Sequence, residues 1–298
     1  MRILVTGSSG LIGRALCRYF TSHEVVRLVR SKSRAAADTI YWNPITEEVQ
    51  LDDFEAFDAV IHVAGDPIAS RRWSSKKKES IFLSRARDTW LLAQILSRLH
   101  RPPKLFFSAS GIGYYGDRGD EMLTEESSRG AGFLAHVCQK WEEAARSAEG
   151  RGVRVVVGRF GAVFSSQGGL LSQIKTPLRW GLGGKLGASK QWISWIALED
   201  LVRAVEFTLN QPRLSGAFNF AAPSPIRHEE LIHSLAVKLK RPAWLNLPEW
   251  FLKLTLGEMA KELLLASQRA APKRLLASGF IFKYPTLQSY ILNADSSF

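Results

Sequence analysis

Cysteine is scarce in this sequence: Cys17 and Cys138 are the only two among 298 residues. Both fall in helix-like runs and read as buried thiols, so neither a disulfide framework nor a thiolate metal site is expected. The six histidines, at 23, 62, 100, 136, 228 and 233, show no ligand spacing, so no metal centre is expected either. No apolar run approaches the roughly 18 residues that a membrane-spanning helix needs. The chain enters a strand at once, without a long apolar leader or a small-residue cleavage site. The expectation is a cytoplasmic protein with no membrane partner.

Acidic residues are also in deficit. Asp and Glu number 28 against 40 Lys and Arg, a net charge of +12. Such an excess suits nucleic acid, an anionic membrane surface or anionic small molecules. The basic residues are scattered, however, and the one local run, RRWSSKKK (Arg71 to Lys78), reads as a solvated helix start. No nucleic-acid motif accompanies it, so nucleic acid is not an expected partner. Hydrophobic residues at 46% and charged residues at 23% are ordinary for a folded globular chain. The length accommodates one large domain and a smaller lobe.

The most informative stretch is the opening, MRILVTGSSGLIGRALCRYF. A short apolar strand, Ile3 to Val5, runs into the turn TGSSGLIG and then a helix-like run. A strand, a turn with glycines at 7, 10 and 13, and a helix make the start of a dinucleotide-binding βαβ unit. Gly7 allows the tight turn, Gly10 lets the backbone approach a pyrophosphate, and Gly13 lets the helix pack close to the sheet. The free N–H groups of Ser9, Leu11 and Ile12 and the positive end of the helix then face the phosphates.

Further apolar runs recur at Val25–Val29, Val60–Val63, Leu105–Ser108 and Val153–Val157, with helix-like stretches at Lys77–Leu99 and Phe133–Ala148 between them. Alternating strands and helices predict an α/β fold with a doubly wound parallel sheet. After Arg159 the pattern changes to glycine-rich turns, a helix at Leu198–Leu209, a strand at Ala217–Phe220, a helix at Glu229–Leu239 and a basic amphipathic run, Trp250–Leu265. The expected division is a Rossmann domain over 1–160 and a smaller C-terminal α/β lobe over 161–298, interleaved with the last elements of the sheet.

The spacing GxxGxxG after a threonine resembles the short-chain dehydrogenase/reductase superfamily. VIHVAG (Val60 to Gly65) is similar to the fourth-strand motif of its extended, epimerase-like members. GYYGDRGDE, GFLAHVCQKWEEAA, GLGGKLGASKQWISWI, NFAAPSPI and the tail RAAPKRLLASGFIFKYPTL resemble one atypical branch, the nucleoside-diphosphate-sugar epimerase-like proteins of unassigned substrate. The resemblance implies that Val63, Ala64 and Gly65 pass close to the adenosine ribose, that Arg85 faces the cofactor, and that Arg159 and Val163 lie where the sixth strand passes the nicotinamide. Arg85 also reads as an ordinary exposed helix arginine.

At the end of the second strand an NAD enzyme usually has an acidic residue for the ribose diol. Here the strand ends RLVR, so Arg30 stands in that place, with Ser31, Lys32 and Arg34 after it. Arginine binds a 2′-phosphate bidentately where a carboxylate would repel it. NADP(H) is the expected cofactor.

Catalysis is where the sequence departs from the superfamily, which generally uses Ser, Tyr and Lys, the last two spaced YxxxK. Aligning WEEAA with the usual acidic end of that helix puts Leu134 at the tyrosine position and Cys138 at the lysine position. Neither side chain can shuttle the proton. The candidates left are Ser110, which matches the superfamily's serine, and Tyr115 or its neighbour Tyr114 as a poorer general acid; both tyrosines also read as loop packing. Trp192 and Trp195 read either as ring-stacking platforms or as core. Relatives tend to show WIH where this chain has Ala197, so a histidine acid is absent. The leading expectation is an NADP(H)-dependent epimerase-like oxidoreductase acting on a small molecule, such as a sugar nucleotide. The alternative is a non-catalytic NADP(H)-binding sensor. Oligomeric state is not legible.

Overall fold

The computed structural model describes residues 1–31, 36–46, 51–149, 152–181 and 183–293. Seven parallel strands form the central sheet: β1 (Arg2–Thr6), β2 (Glu24–Val29), β3 (Thr39–Tyr41), β4 (Ala59–His62), β5 (Leu105–Gly111), β6 (Arg154–Phe160) and β7 (Gly216–Phe220). Their order is β7-β6-β5-β4-β1-β2-β3. The winding reverses between β1 and β4, the position where open α/β sheets leave a crevice beyond the carboxyl ends of their strands.

Alternation along each strand divides the core into two layers. Ile3 and Val5 of β1 face one cluster with Ile61, Phe107 and Phe218. Helices α1 (Leu11–Tyr19) and α6 (Leu198–Asn210) close it through Leu16, Leu201 and Val205. Leu4 faces the other way, with Val60, Phe106 and Val157. That layer is covered by α3 (Ala86–Arg98) through Leu92 and Leu96 and by α4 (Phe133–Arg146) through Ala145. Both faces are buried, which explains why the strands read as nearly continuous apolar runs.

Two expectations about elements are corrected. The single helix over Lys77–Leu99 is two, α2 (Ser75–Leu83) and α3, broken at Ser84 and Arg85. The Ser84 hydroxyl donates to the Ile81 carbonyl and accepts the Asp66 N–H, so the break is fastened to the loop after β4. The tail run over Trp250–Leu265 likewise divides at Gly257, whose φ of +62° stops helix α8 (Glu249–Leu256) before a π-helical turn at Ala260–Leu264. After β6 the chain also forms α5 (Gly169–Arg179) and α7 (His228–Leu239). Strand β7 returns from that part of the chain to complete the sheet beside β6. Among the described residues no helix is long and apolar enough to cross a membrane.

Candidate functional site

The glycine turn lies at the carboxyl end of β1 and is locked from behind. Gly7 has φ +69°, and a Cβ there would meet Ala64 N at 2.7 Å. A Cβ on Gly13 would run into the Gly7 carbonyl. Thr6 adds a tie, since its hydroxyl bonds His62 Nδ1 at 2.7 Å and accepts the Ala64 N–H at 3.3 Å. His62 is fully enclosed, with Nε2 on Thr89, and burial drives its pKa down to about 3, so the ring is neutral.

Gly10 differs from its two neighbours. A Cβ there would meet only the Gly7 carbonyl, at 3.3 Å, and otherwise open space. Gly10 also caps α1, so the free amides at the start of that helix face the same space. Ser9 is exposed, and its carbonyl is held by Arg14. The turn is a cradle that a side chain at position 10 would fill, and it fits a pyrophosphate.

Arg30 is exposed at the end of β2, and no hydrogen bond or ion pair engages it among the described residues. The nearby Asp38 is taken by Arg27 at 2.6 Å. Ser31 is exposed next to it; Lys32 and Arg34 lie outside the described residues. At the opposite end of the crevice the helix break turns Arg85 inward. Its guanidinium carbon is 3.1 Å from where a Gly65 Cβ would stand, and Nη1 donates to the Asp66 carbonyl at 3.0 Å. The reading of Arg85 as an exposed helix arginine therefore fails. The group is half-buried, and burial lowers its pKa. It has no ion pair among the described residues, because the Asp66 carboxylate belongs to Lys77 at 2.6 Å. Val163 sits on a short strand, Ala162–Ser165, paired with Trp195–Ala197.

The proposed proton donors are placed differently from expectation. Tyr115 is fully buried, packed with Ile112, Leu123 and Ala270. Its hydroxyl donates to Asn219 Oδ1 at 2.7 Å and accepts from Arg159 Nη1 at 2.9 Å. Burial pushes the phenol up to about 12. Ser110 is buried too, and its hydroxyl donates to Glu142 Oε1 at 3.0 Å. Glu142 in turn receives two Arg159 bonds of 2.8 and 2.9 Å. Burial alone would weaken the Arg159 cation, but the Glu142 bonds more than offset it and its pKa moves up. Arg159, like the two hydroxyls, is thus part of an internal strut that joins β5, α4, β6 and β7. Tyr114 lies under the Arg159 guanidinium at 3.6 Å from its ring centre, beside a polar cavity of about 510 Å³ lined also by Glu125, Arg146 and Arg274. No residue of the glycine turn lines that cavity.

Leu134 and Cys138 do stand on α4 facing the end of β5: Leu134 Cβ lies 3.3 Å and Cys138 Sγ 3.8 Å from where a Gly113 Cβ would stand. Burial pushes the Cys138 thiol up to about 11. Around Leu134 the space is filled by Trp73, Ile81, Val137 and Met259, with Leu256 and Leu263 against them. The same tail segment carries Glu262, whose two carboxylate oxygens accept the Phe133 and Leu134 N–H groups at 2.7 Å each. That carboxylate caps the start of α4. Trp195 is core, stacked on Phe164 at 4.8 Å. Trp192 lies under the guanidinium groups of Arg227 and Arg269, and its indole N–H is bonded to Asp120. Sequence reasoning missed the helix break, the Glu142–Arg159 pair and the Glu262 cap. Only the first left a trace, in the paired Ser84 and Arg85 inside an otherwise periodic run.

The profile of the NAD dependent epimerase/dehydratase family matches residues 3–221, and a "Domain of unknown function (DUF1731)" profile matches residues 247–294. An epimerase family protein of Mycobacterium bovis is 39% identical over 287 residues, 96% of this chain and 94% of its own. The crystal structure of the human epimerase family protein SDR39U1 (isoform 2) with NADPH is similar at TM-score 0.90 and 30% identity, over 98% of both chains. A nucleoside-diphosphate sugar epimerase of Corynebacterium glutamicum is similar at TM-score 0.81 and 33% identity, over 98% of this chain and 57% of that one.

Proposed function

The chain belongs to the NAD dependent epimerase/dehydratase family, and from that premise we propose that it binds NADP(H) in the crevice above β1 and β4 and reports its presence without the superfamily's tyrosine proton relay. The observation that carries the binding is the glycine turn, blocked behind Gly7 and Gly13 and open in front of Gly10. The Gly7–Gly13 turn, with Ser9, Leu11 and Ile12, would hold the pyrophosphate. Arg30 and Ser31 would take the 2′-phosphate, with Val63, Ala64 and Gly65 along the crevice and Arg85 and Val163 at its far end. The human relative crystallised with NADPH supports this choice of cofactor. When bound, a nicotinamide cofactor supplies or accepts a hydride.

The sensor reading rests on the α4 corner. Leucine and a thiol raised to about 11 stand at the tyrosine and lysine positions. Of the three hydroxyl candidates, Ser110 and Tyr115 are spent on structural partners, Tyr114 faces a cavity that no residue of the glycine turn lines, and apolar side chains from the tail occupy the corner. A second reading, an epimerase-like oxidoreductase acting on a small molecule such as a sugar nucleotide, is favoured by Arg85. A half-buried cation without a carboxylate partner is suited to hold an oxyanion. The test is incubation of the protein with C4-deuterated NADPH and a panel of simple carbonyls, and with NADP+ and a panel of sugar nucleotides followed by NMR for epimers. The sensor reading expects cofactor binding with neither deuterium transfer nor epimer formation. Steady turnover of any of these compounds would replace it with the oxidoreductase, and absence of binding would sink both.

A further inference from the structure

Helix α8 is apolar on the wrong side. Its inward face is supplied by Leu252, which is buried, and Leu256, which packs against the Trp73 cluster. Its outward face repeats the pattern with Trp250 and Leu254, one turn apart and 67% and 68% exposed, flanked by Phe251. A surface helix of a water-soluble domain normally presents charge there. Two further exposed tryptophans lie on neighbouring segments. Trp244 is 68% exposed just ahead of the strand Leu245–Leu247, and Trp180 is 80% exposed three residues before Gly183, whose carbonyl accepts the Leu245 N–H.

The charge around this patch is mostly positive. Between residues 238 and 258 the exposed ionisable side chains are Lys238, Lys240, Arg241 and Lys253 against Glu249 and Glu258, which are paired with Lys253 and Lys78. Exposed tryptophan, phenylalanine and leucine beside lysine and arginine is the composition that lies in a bilayer interface, with aromatic rings at headgroup level and cations on anionic lipid. We propose that the outer face of α8, with Trp244 and Trp180, docks on an anionic lipid bilayer surface. The positive net charge fits the same surface. Docking lays the helix flat, consistent with the lack of any spanning helix among the described residues. The tail segment that follows α8 carries Met259 and Glu262 onto α4.

The test uses the full chain with vesicles of phosphatidylcholine alone or mixed with phosphatidylglycerol, read by co-sedimentation and by the blue shift of tryptophan fluorescence. Binding is expected to the mixed vesicles and to weaken as salt is raised. Trp250→Ser combined with Leu254→Ser should lower partitioning by about tenfold or more. Lys240→Glu combined with Arg241→Glu should lower it by about tenfold or more on the anionic vesicles. The substituted side chains are exposed, and an unchanged melting temperature reports that each variant is folded. No partitioning of the unmodified chain, or equal partitioning by the Trp250/Leu254 variant, overturns the proposal. So does a dimer in light scattering that the same variant abolishes without any vesicle binding, which would make the face an interface between copies.

Discussion

Removing the Glu142 carboxylate should unfold this protein more readily while leaving cofactor affinity intact. Glu142 and Arg159 are each only 3% exposed, joined by two bonds of 2.8 and 2.9 Å, and the same carboxylate also holds the Ser110 hydroxyl. Glu142→Ala therefore strands a buried guanidinium and a buried hydroxyl. Breaking such a pair costs about 3–5 kcal/mol, or roughly 150- to 5,000-fold in the folded-to-unfolded ratio. That is a large part of the roughly 5–15 kcal/mol a domain has. Replacing both partners, as in Glu142→Leu with Arg159→Met, should recover most of the loss, because no charge is left unpaired. Urea unfolding followed by tryptophan fluorescence gives the stabilities, and calorimetric titration with NADPH below the transition gives the affinities. The reasoning fails if the single variant costs less than about 1 kcal/mol, or if the double variant is no more stable than the single. A large loss of NADPH affinity at unchanged stability would place Glu142 in the cofactor site instead of the strut.

The glycine turn separates binding from folding. Gly10→Val points a branched side chain into the open cradle and should abolish NADPH binding at nearly unchanged melting temperature, whereas Gly13→Ala drives its Cβ into the Gly7 carbonyl and should lower the melting temperature itself. Retained binding by Gly10→Val would put the pyrophosphate elsewhere. His62 sets an acid dependence, since its pKa falls from 6.5 to about 3 in the folded protein. The stability it contributes is present above 6.5 and is lost as pH drops toward 3, amounting to about 2.7 kcal/mol by about pH 4.5. Stability measured against pH should therefore fall more steeply in the unmodified protein than in His62→Gln; parallel curves would contradict the assignment.

What was legible in the sequence is what the backbone dictates locally. Glycines at 7, 10 and 13 after an apolar strand have few other uses, and the structure fastens the first and last of them against neighbouring backbone. Doubly buried strands announced themselves as apolar runs, except β3, whose three residues Thr39–Tyr41 are all half-buried and carry no such signal. The Ser110 and Tyr115 expectation rested on proximity along the chain, while their partners are set by tertiary packing. Ser110 meets Glu142 across 32 residues, and Tyr115 meets Arg159 and Asn219 across 44 and 104. Spacing can bring a hydroxyl to the end of a strand, but only the neighbouring helix and strands determine whether it is free. The apolar closure at Leu134 depends on a tail that begins more than a hundred residues later, so no motif in α4 foretold it.

The most direct test of NADP(H) recognition is a calorimetric titration of the unmodified protein and Arg30→Ala with NADPH and with NADH. Arg30 is exposed at the end of β2 and, among the described residues, has neither an ion pair nor a hydrogen bond, so it is available to a 2′-phosphate. One charge-assisted contact of this kind is worth about 1.5–3 kcal/mol, or roughly ten- to a hundred-fold in affinity. NADPH should bind tighter than NADH by at least that margin, and Arg30→Ala should erase most of the difference while leaving NADH affinity unchanged. Equal affinities for the two cofactors in the unmodified protein would contradict the account.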